Sequence, residues 1–153
     1  MRLNSPHINT ITKACMKASR SLIRDFGEIE NLQVLSKGPG DFVTSADKRT
    51  EKIIIEELQK AHPEYGIITE ERGFINKTNK DNRWIIDPID GTKEYIAGKD
   101  EYTLNAALVI NTVPVLGLVG VPKKNRLFYS YAPGESYLIE DGNTKKINCT
   151  KQQ

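Results

Sequence analysis

Apolar residues fall at helical spacing near the start of the chain. Ile8, Ile11, Cys15, Ala18 and Leu22 recur every three or four positions, behind Ser5-Pro6. A capping hydroxyl followed by proline at the first helical position is a helix start, because that position has no use for an N–H. The spacing predicts an amphipathic helix over residues 6–25. Asn31 to Leu35 reads as a short strand, and Gly38-Pro39-Gly40 as a loop. A second helix is expected from Thr44 or Ser45 to about Lys60. Its inward face would be Ala46, Ile53, Ile54, Glu57 or Leu58, and Ala61, with His62-Pro63 ending it.

Beyond residue 64 the period changes from helical to alternating. Tyr65 to Thr69 is short and apolar and ends at Glu70-Glu71, Arg72 to Asn82 is polar and reads as an exposed loop, and Arg83 to Ile86 is a strand. Thr103–Ile110, Val113–Val121, Arg126–Tyr131 and Ser136–Glu140 follow, separated by Asn111-Thr112, Lys123-Lys124-Asn125, Pro133-Gly134 and a turn at Asp141-Gly142-Asn143. That is an antiparallel meander. The expected fold class is α+β, two helices packed on one face of a mostly antiparallel sheet.

Composition narrows the reading. The 153 residues are enough for one domain with a core. Twenty-two Lys and Arg against 20 Asp and Glu leave a net charge of +2. This balance argues against direct nucleic-acid binding or a charged membrane surface as partner. No apolar run approaches the ~18 residues needed to span a bilayer. The first ten residues contain no apolar core of a secretory signal. Cys15 and Cys149 are far apart, which predicts two free thiols and a cytoplasmic location.

The chemistry concentrates in Trp84-Ile85-Ile86-Asp87-Pro88-Ile89-Asp90-Gly91-Thr92. An apolar stretch delivers two carboxylates into a turn ended by Gly and Thr. Two buried negative charges side by side cost several kcal/mol unless a cation offsets them. The fork therefore reads as a metal site, and the Gly-Thr behind it supplies N–H groups and a hydroxyl for an anion. Asp47, in the first turn of the second helix, and Glu70-Glu71, after a strand, are further carboxylates. Adjacent strands ending on one side would set Glu70 beside Asp87. Hard oxygen ligands of this kind suit Mg²⁺, whereas zinc prefers His and Cys. The two histidines, His7 and His62, are expected at the surface. Taken singly, each acidic element also has a structural reading: a helix-dipole residue, a solvated loop edge, an Asx-type turn.

These residues resemble the lithium-sensitive, Mg²⁺-dependent phosphatases that include inositol monophosphatase and 3′(2′),5′-bisphosphate nucleotidase. The shared pattern is an early Asp, a Glu-Glu pair and Asp-Pro-(Ile/Leu)-Asp-Gly-Thr, here Asp47, Glu70-Glu71 and Asp87 to Thr92. The resemblance implies the N-terminal half of that family's layered fold. It implies that Glu70, Asp87 and the Ile89 carbonyl hold one Mg²⁺, with Asp87 and Asp90 holding a second. It implies that Asp47 and Thr92 form a hydrogen-bonded pair that orients and deprotonates the attacking water, and that Gly91 and Thr92 bind phosphate. Lys93 contacts a second phosphate or is a solvated loop lysine. Residues 1 to about 75 look more like bacterial inositol monophosphatases; Lys93-Glu94-Tyr95-Ile96 and Glu101 to Asn105 look more like the nucleotidases.

Full-length members of the family carry a second domain with a Trp-Asp motif that completes the second metal site. The only Trp here is Trp84, and Asp does not follow it. Residues 1–153 are therefore expected to be the N-terminal domain, with the C-terminal substrate domain absent. The expected function is hydrolysis of a small phosphomonoester. The alternative is a truncated, weakly active or inactive metal-binding remnant that acts as an interaction domain; some bacterial members of the inositol type bind transcription machinery. A homodimer is expected from the face a neighbouring domain would cover.

Overall fold

The computed structural model describes residues 5–31, 39–76 and 79–150. Helix α1 spans Pro6–Asn31. Ser5 caps it, its hydroxyl accepting the His7 amide at 3.3 Å. The predicted apolar stripe of Ile8, Ile11, Cys15, Ala18 and Leu22 is buried, together with Ala14 and Phe26. The backbone stays helical to Asn31, beyond the expected end at residue 25. The strand expected over Asn31 to Leu35 thus begins on a helical residue, and its remainder lies outside the described residues.

Helix α2 spans Pro39–Ala61 and starts earlier than expected. Pro39 is its first residue, where a proline ring fits a helix N-terminus as well as it fits a loop; Gly38 lies outside the described residues. Ala46, Ile54 and Leu58 face inward as expected, and so do Thr50, Glu51 and Ile55. Ala61 is exposed. Glu57 sits at the rim, paired with Lys13 and Lys17 of α1 at 3.4 and 2.9 Å. Deeper in the same seam, buried Asp25 accepts both Nε and an Nη of Arg49, at 3.2 and 2.9 Å.

Eight strands form one sheet: β1 (Gly66–Thr69), β2 (Gly73–Asn76), β3 (Arg83–Asp90), β4 (Thr103–Ile110), β5 (Val113–Val121), β6 (Arg126–Ala132), β7 (Glu135–Glu140) and β8 (Asn143–Ile147). The spatial order is β2-β1-β3-β4-β5-β6-β7-β8, and every pair is antiparallel except β1 with β3. The predicted meander is present and continues into β8. The expected loop over Arg72 to Asn82 instead contains β2, an edge strand of four residues, too short to show alternation. A short helix, α3 (Thr92–Ile96), follows β3.

Both long helices cover one face of the sheet, where Trp84, Ile86, Leu104, Leu108, Leu116 and Leu118 are buried. On the other face Ile85 and Val119 remain 39% and 41% exposed. At one end, Phe26, Tyr95 and Tyr102 pack ring to ring at 4.8–5.6 Å, and the Tyr95 hydroxyl donates to the Leu22 carbonyl. The histidines depart from expectation. His7 is half-buried, its two ring nitrogens bonded to the hydroxyls of Tyr131 and Tyr65. His62 stacks on Tyr65 with centroids 4.7 Å apart. A polar edge and a flat apolar face let imidazole fill such a seam. No helix among the described residues is long and apolar enough to cross a membrane.

Candidate functional site

The site follows from strand register. Strands β1 and β3 run parallel with Thr69 beside Ile86, so the next residues, Glu70 and Asp87, are neighbours. The Glu70 amide extends the ladder onto the Ile86 carbonyl at 3.2 Å. This is the juxtaposition expected from the sequence.

Asp87 and Asp90 are three apart, and on a regular strand they would point to opposite faces. Here Asp87 pairs with Asn105 and Asp90 with Thr103, so three steps on β3 match two on β4. The extra residue is a bulge, and it turns both carboxylates to the same face. Pro88 tolerates the irregularity because it has no N–H to pair. The fork therefore lies on the bulged end of a strand rather than in a turn. Asn105 Nδ2 donates to Asp90 Oδ2 at 3.1 Å.

Crowding shows in the acidities. Burial, a hydrogen bond and charge from Glu70, and the charge of Asp90 push the Asp87 carboxyl up to about 6, against a backbone hydrogen bond from Ile89. Asp47 is the ninth residue of α2, not in its first turn as expected. Burial, the charges of Glu71, Glu51 and Asp87, and a hydrogen bond to Glu71 push it up to about 7.

The carboxylates pair off acid to acid, Glu70 with Asp87 and Glu71 with Asp47. Among the described residues no three His, Cys, Asp or Glu side chains converge on a single point. Three buried oxygens, Asp47 Oδ1, Asp87 Oδ1 and Glu51 Oε2, have no hydrogen-bond partner. Carboxylate oxygens only accept, and an unpartnered buried anion is costly. Donors of this type fit a hard divalent cation such as Mg²⁺.

The phosphate-side residues follow at once. Gly91 has φ 92°, and a Cβ there would lie 2.8 Å from the Glu101 carbonyl, so only glycine fits without strain. Thr92 opens α3, in the first turn, where amides have no acceptor within the helix. Its hydroxyl contacts the Ile89 carbonyl at 3.4 Å. It therefore does not make the expected bond to Asp47, whose Oδ1 has no partner. Lys93 is exposed.

Two site neighbours carry no role in the sequence reading. Glu51 lies four residues after Asp47, an acid inside a buried stripe; that placement was its only signal. Asn105 faces the fork across the sheet, and only the register of β4 against the bulge reveals it.

The sequence model of the inositol monophosphatase family matches residues 3–153. An inositol-1-monophosphatase of Mesorhizobium japonicum is 42% identical over 131 residues, 86% of this chain and 49% of that protein. A Nus factor SuhB of Xylella fastidiosa is 34% identical over 152 residues, 97% of this chain and 54% of that protein. The crystal structure of extragenic suppressor protein suhB from Bartonella henselae matches with a TM-score of 0.76 at 39% identity, covering 88% of this chain and 52% of that one. The chain spans about half the length of the curated relatives it matches.

Proposed function

The chain belongs to the inositol monophosphatase family, and from that premise we propose that it carries the metal-binding and water-activating part of a Mg²⁺-dependent phosphatase. The substrate is a small phosphomonoester, inositol monophosphate or 3′-phosphoadenosine 5′-phosphate. The observation that carries this reading is the pair of buried, unpartnered oxygens, Asp47 Oδ1 and Asp87 Oδ1, beside Glu70 and Asp90.

In this reading Glu70, Asp87 and the Ile89 carbonyl hold one Mg²⁺, and Asp87 with Asp90 hold a second. Bound Mg²⁺ lowers the pKa of coordinated water and neutralises phosphate charge. Asp47 acts as general base, with Thr92 orienting the water. The amides of Gly91 and Thr92 hold the phosphate, and Lys93 either meets a second anionic group or is a solvated loop lysine. We read residues 1–153 as the first of two domains, and two unpaired cysteines, Cys15 buried and Cys149 exposed, support a cytoplasmic setting.

The test is phosphate release from inositol 1-phosphate and 3′-phosphoadenosine 5′-phosphate side by side, with Mg²⁺ and with or without Li⁺. Mg²⁺-dependent, Li⁺-inhibited release supports the reading; no release from either at high Mg²⁺ counts against it. The name Nus factor on a relative 34% identical favours a second reading, an interaction domain that binds one divalent ion and turns over little. Calorimetry giving one metal site and no turnover would support it, and two sites with turnover would exclude it.

A further inference from the structure

Glu51 is fully buried, and its Oε1 accepts the Thr69 hydroxyl at 2.7 Å. The Thr69 hydroxyl in turn accepts the Arg72 amide at 3.1 Å. The Arg72 guanidinium returns to Glu51 Oε1 at 3.3 Å. These three residues close a ring, and the segment inside it is Glu70-Glu71. Thr69 is itself the last residue of β1, in register beside Ile86 of β3. Glu51 and Asp47 are one turn apart on α2, so they share a helix face. The ring therefore ties the helix that carries Asp47 to the turn that carries the two glutamates.

A surface turn has no need of a fully buried carboxylate. Arg72 is 48% exposed, so its charge is a diluted counter-ion, and the second oxygen of Glu51 has no partner at all. Placing an anion there adds to the repulsion on Asp47. What it provides is direction. Thr69 is buried and cannot rotate away, and Arg72 is held at both its amide and its guanidinium.

We propose that Glu51 is a positioning residue that, through Thr69 and Arg72, clamps the Glu70-Glu71 turn so that Glu70 is presented beside Asp87 for cation binding. The proposal rests on the metal reading of that site. It assigns Glu51 no contact with substrate or ion.

The test uses the full chain and Mn²⁺ as probe, titrated by calorimetry, with amide hydrogen exchange on the same samples without metal. Thr69→Val keeps the branched shape and removes the hydroxyl. It should weaken Mn²⁺ binding about tenfold, the low end for lost outer-shell support. It should also speed exchange of the Arg72 amide about tenfold while amides of β4 and β5 stay unchanged. Thr69→Ser should restore both. Arg72→Met serves if Thr69→Val does not fold, and it sharpens the distinction. Removing a cation should tighten Mn²⁺ binding by charge alone, whereas loss of the clamp weakens it. Binding unchanged or tighter in both variants overturns the proposal, as does weakened binding with Arg72 exchange unchanged. Wild-type chain that binds no Mn²⁺ would sink the metal reading instead, and the clamp would then stand or fall on the exchange rates.

Discussion

Asp90 carries the plainest consequence at the scale of single residues. Asp90→Asn removes a charge from a same-face pair of carboxylates and keeps an oxygen and the shape. Any phosphatase activity should be lost while the fold persists, and relief of repulsion on Asp87 should raise the thermal midpoint of the metal-free chain. Full activity in the variant would remove Asp90 from the metal role. Acidity gives a second expectation. Asp47 and Asp87 titrate near 7 and near 6 in the fold, against about 3.9 in an unfolded chain. The folded state thus holds more protons across that window. Their contribution to stability is fully present below about pH 4 and is lost as pH rises through 6 and 7. Metal-free protein should therefore melt at lower temperature at pH 8 than at pH 5 from this source. Mg²⁺ should raise the midpoint more at pH 8, where the ligands are ionised without it. Calorimetric scans at both pH values check this; an equal Mg²⁺ effect at each would contradict it.

Elements place these residues, and Gly91 shows how tightly. It joins the bulged end of β3 to α3 with left-handed backbone against the Glu101 carbonyl. Gly91→Ala should cost at least about 1–2 kcal/mol from the backbone conformation alone, before the contact is relieved. Urea unfolding should show a lower midpoint at unchanged slope; an unmoved midpoint would mean the turn relaxes freely. Much at this scale is legible in the sequence. The stripe from Ile8 to Leu22, the four meander strands and the neighbourhood of Glu70 and Asp87 all follow from period and punctuation. What escaped depends on partners distant in sequence. The bulge that puts Asp87 and Asp90 on one face exists only against Asn105 and Thr103. Glu51 sits where helix periodicity points inward but its charge argues for solvent, and Thr69 and Arg72 are what admit it to the core. Pro39 reads equally as breaker and as first helical residue, and the local sequence does not choose between the two.

For the molecule as a whole, one sheet face is covered by α1 and α2, and the other presents apolar side chains to solvent. Ile85, Val113 and Val119 are exposed on or beside it, and Gly117, Val119, Phe128 and Ile147 line a shallow trough across β5 to β8. Exposed apolar surface favours association in water, because burying it releases its hydration. The chain by itself should self-associate as concentration rises. Val119→Lys puts a charge at the centre of the trough, on a strand position whose side chain already points outward. It should shift the sedimentation distribution toward monomer without changing the far-ultraviolet spectrum. The effect belongs to the surface rather than to the carboxylate cluster, so Mn²⁺ affinity should be the same in the variant. Sedimentation of the wild-type chain as a monomer at high concentration would show that this face is wetted without penalty. The apolar trough would then have no part in assembly.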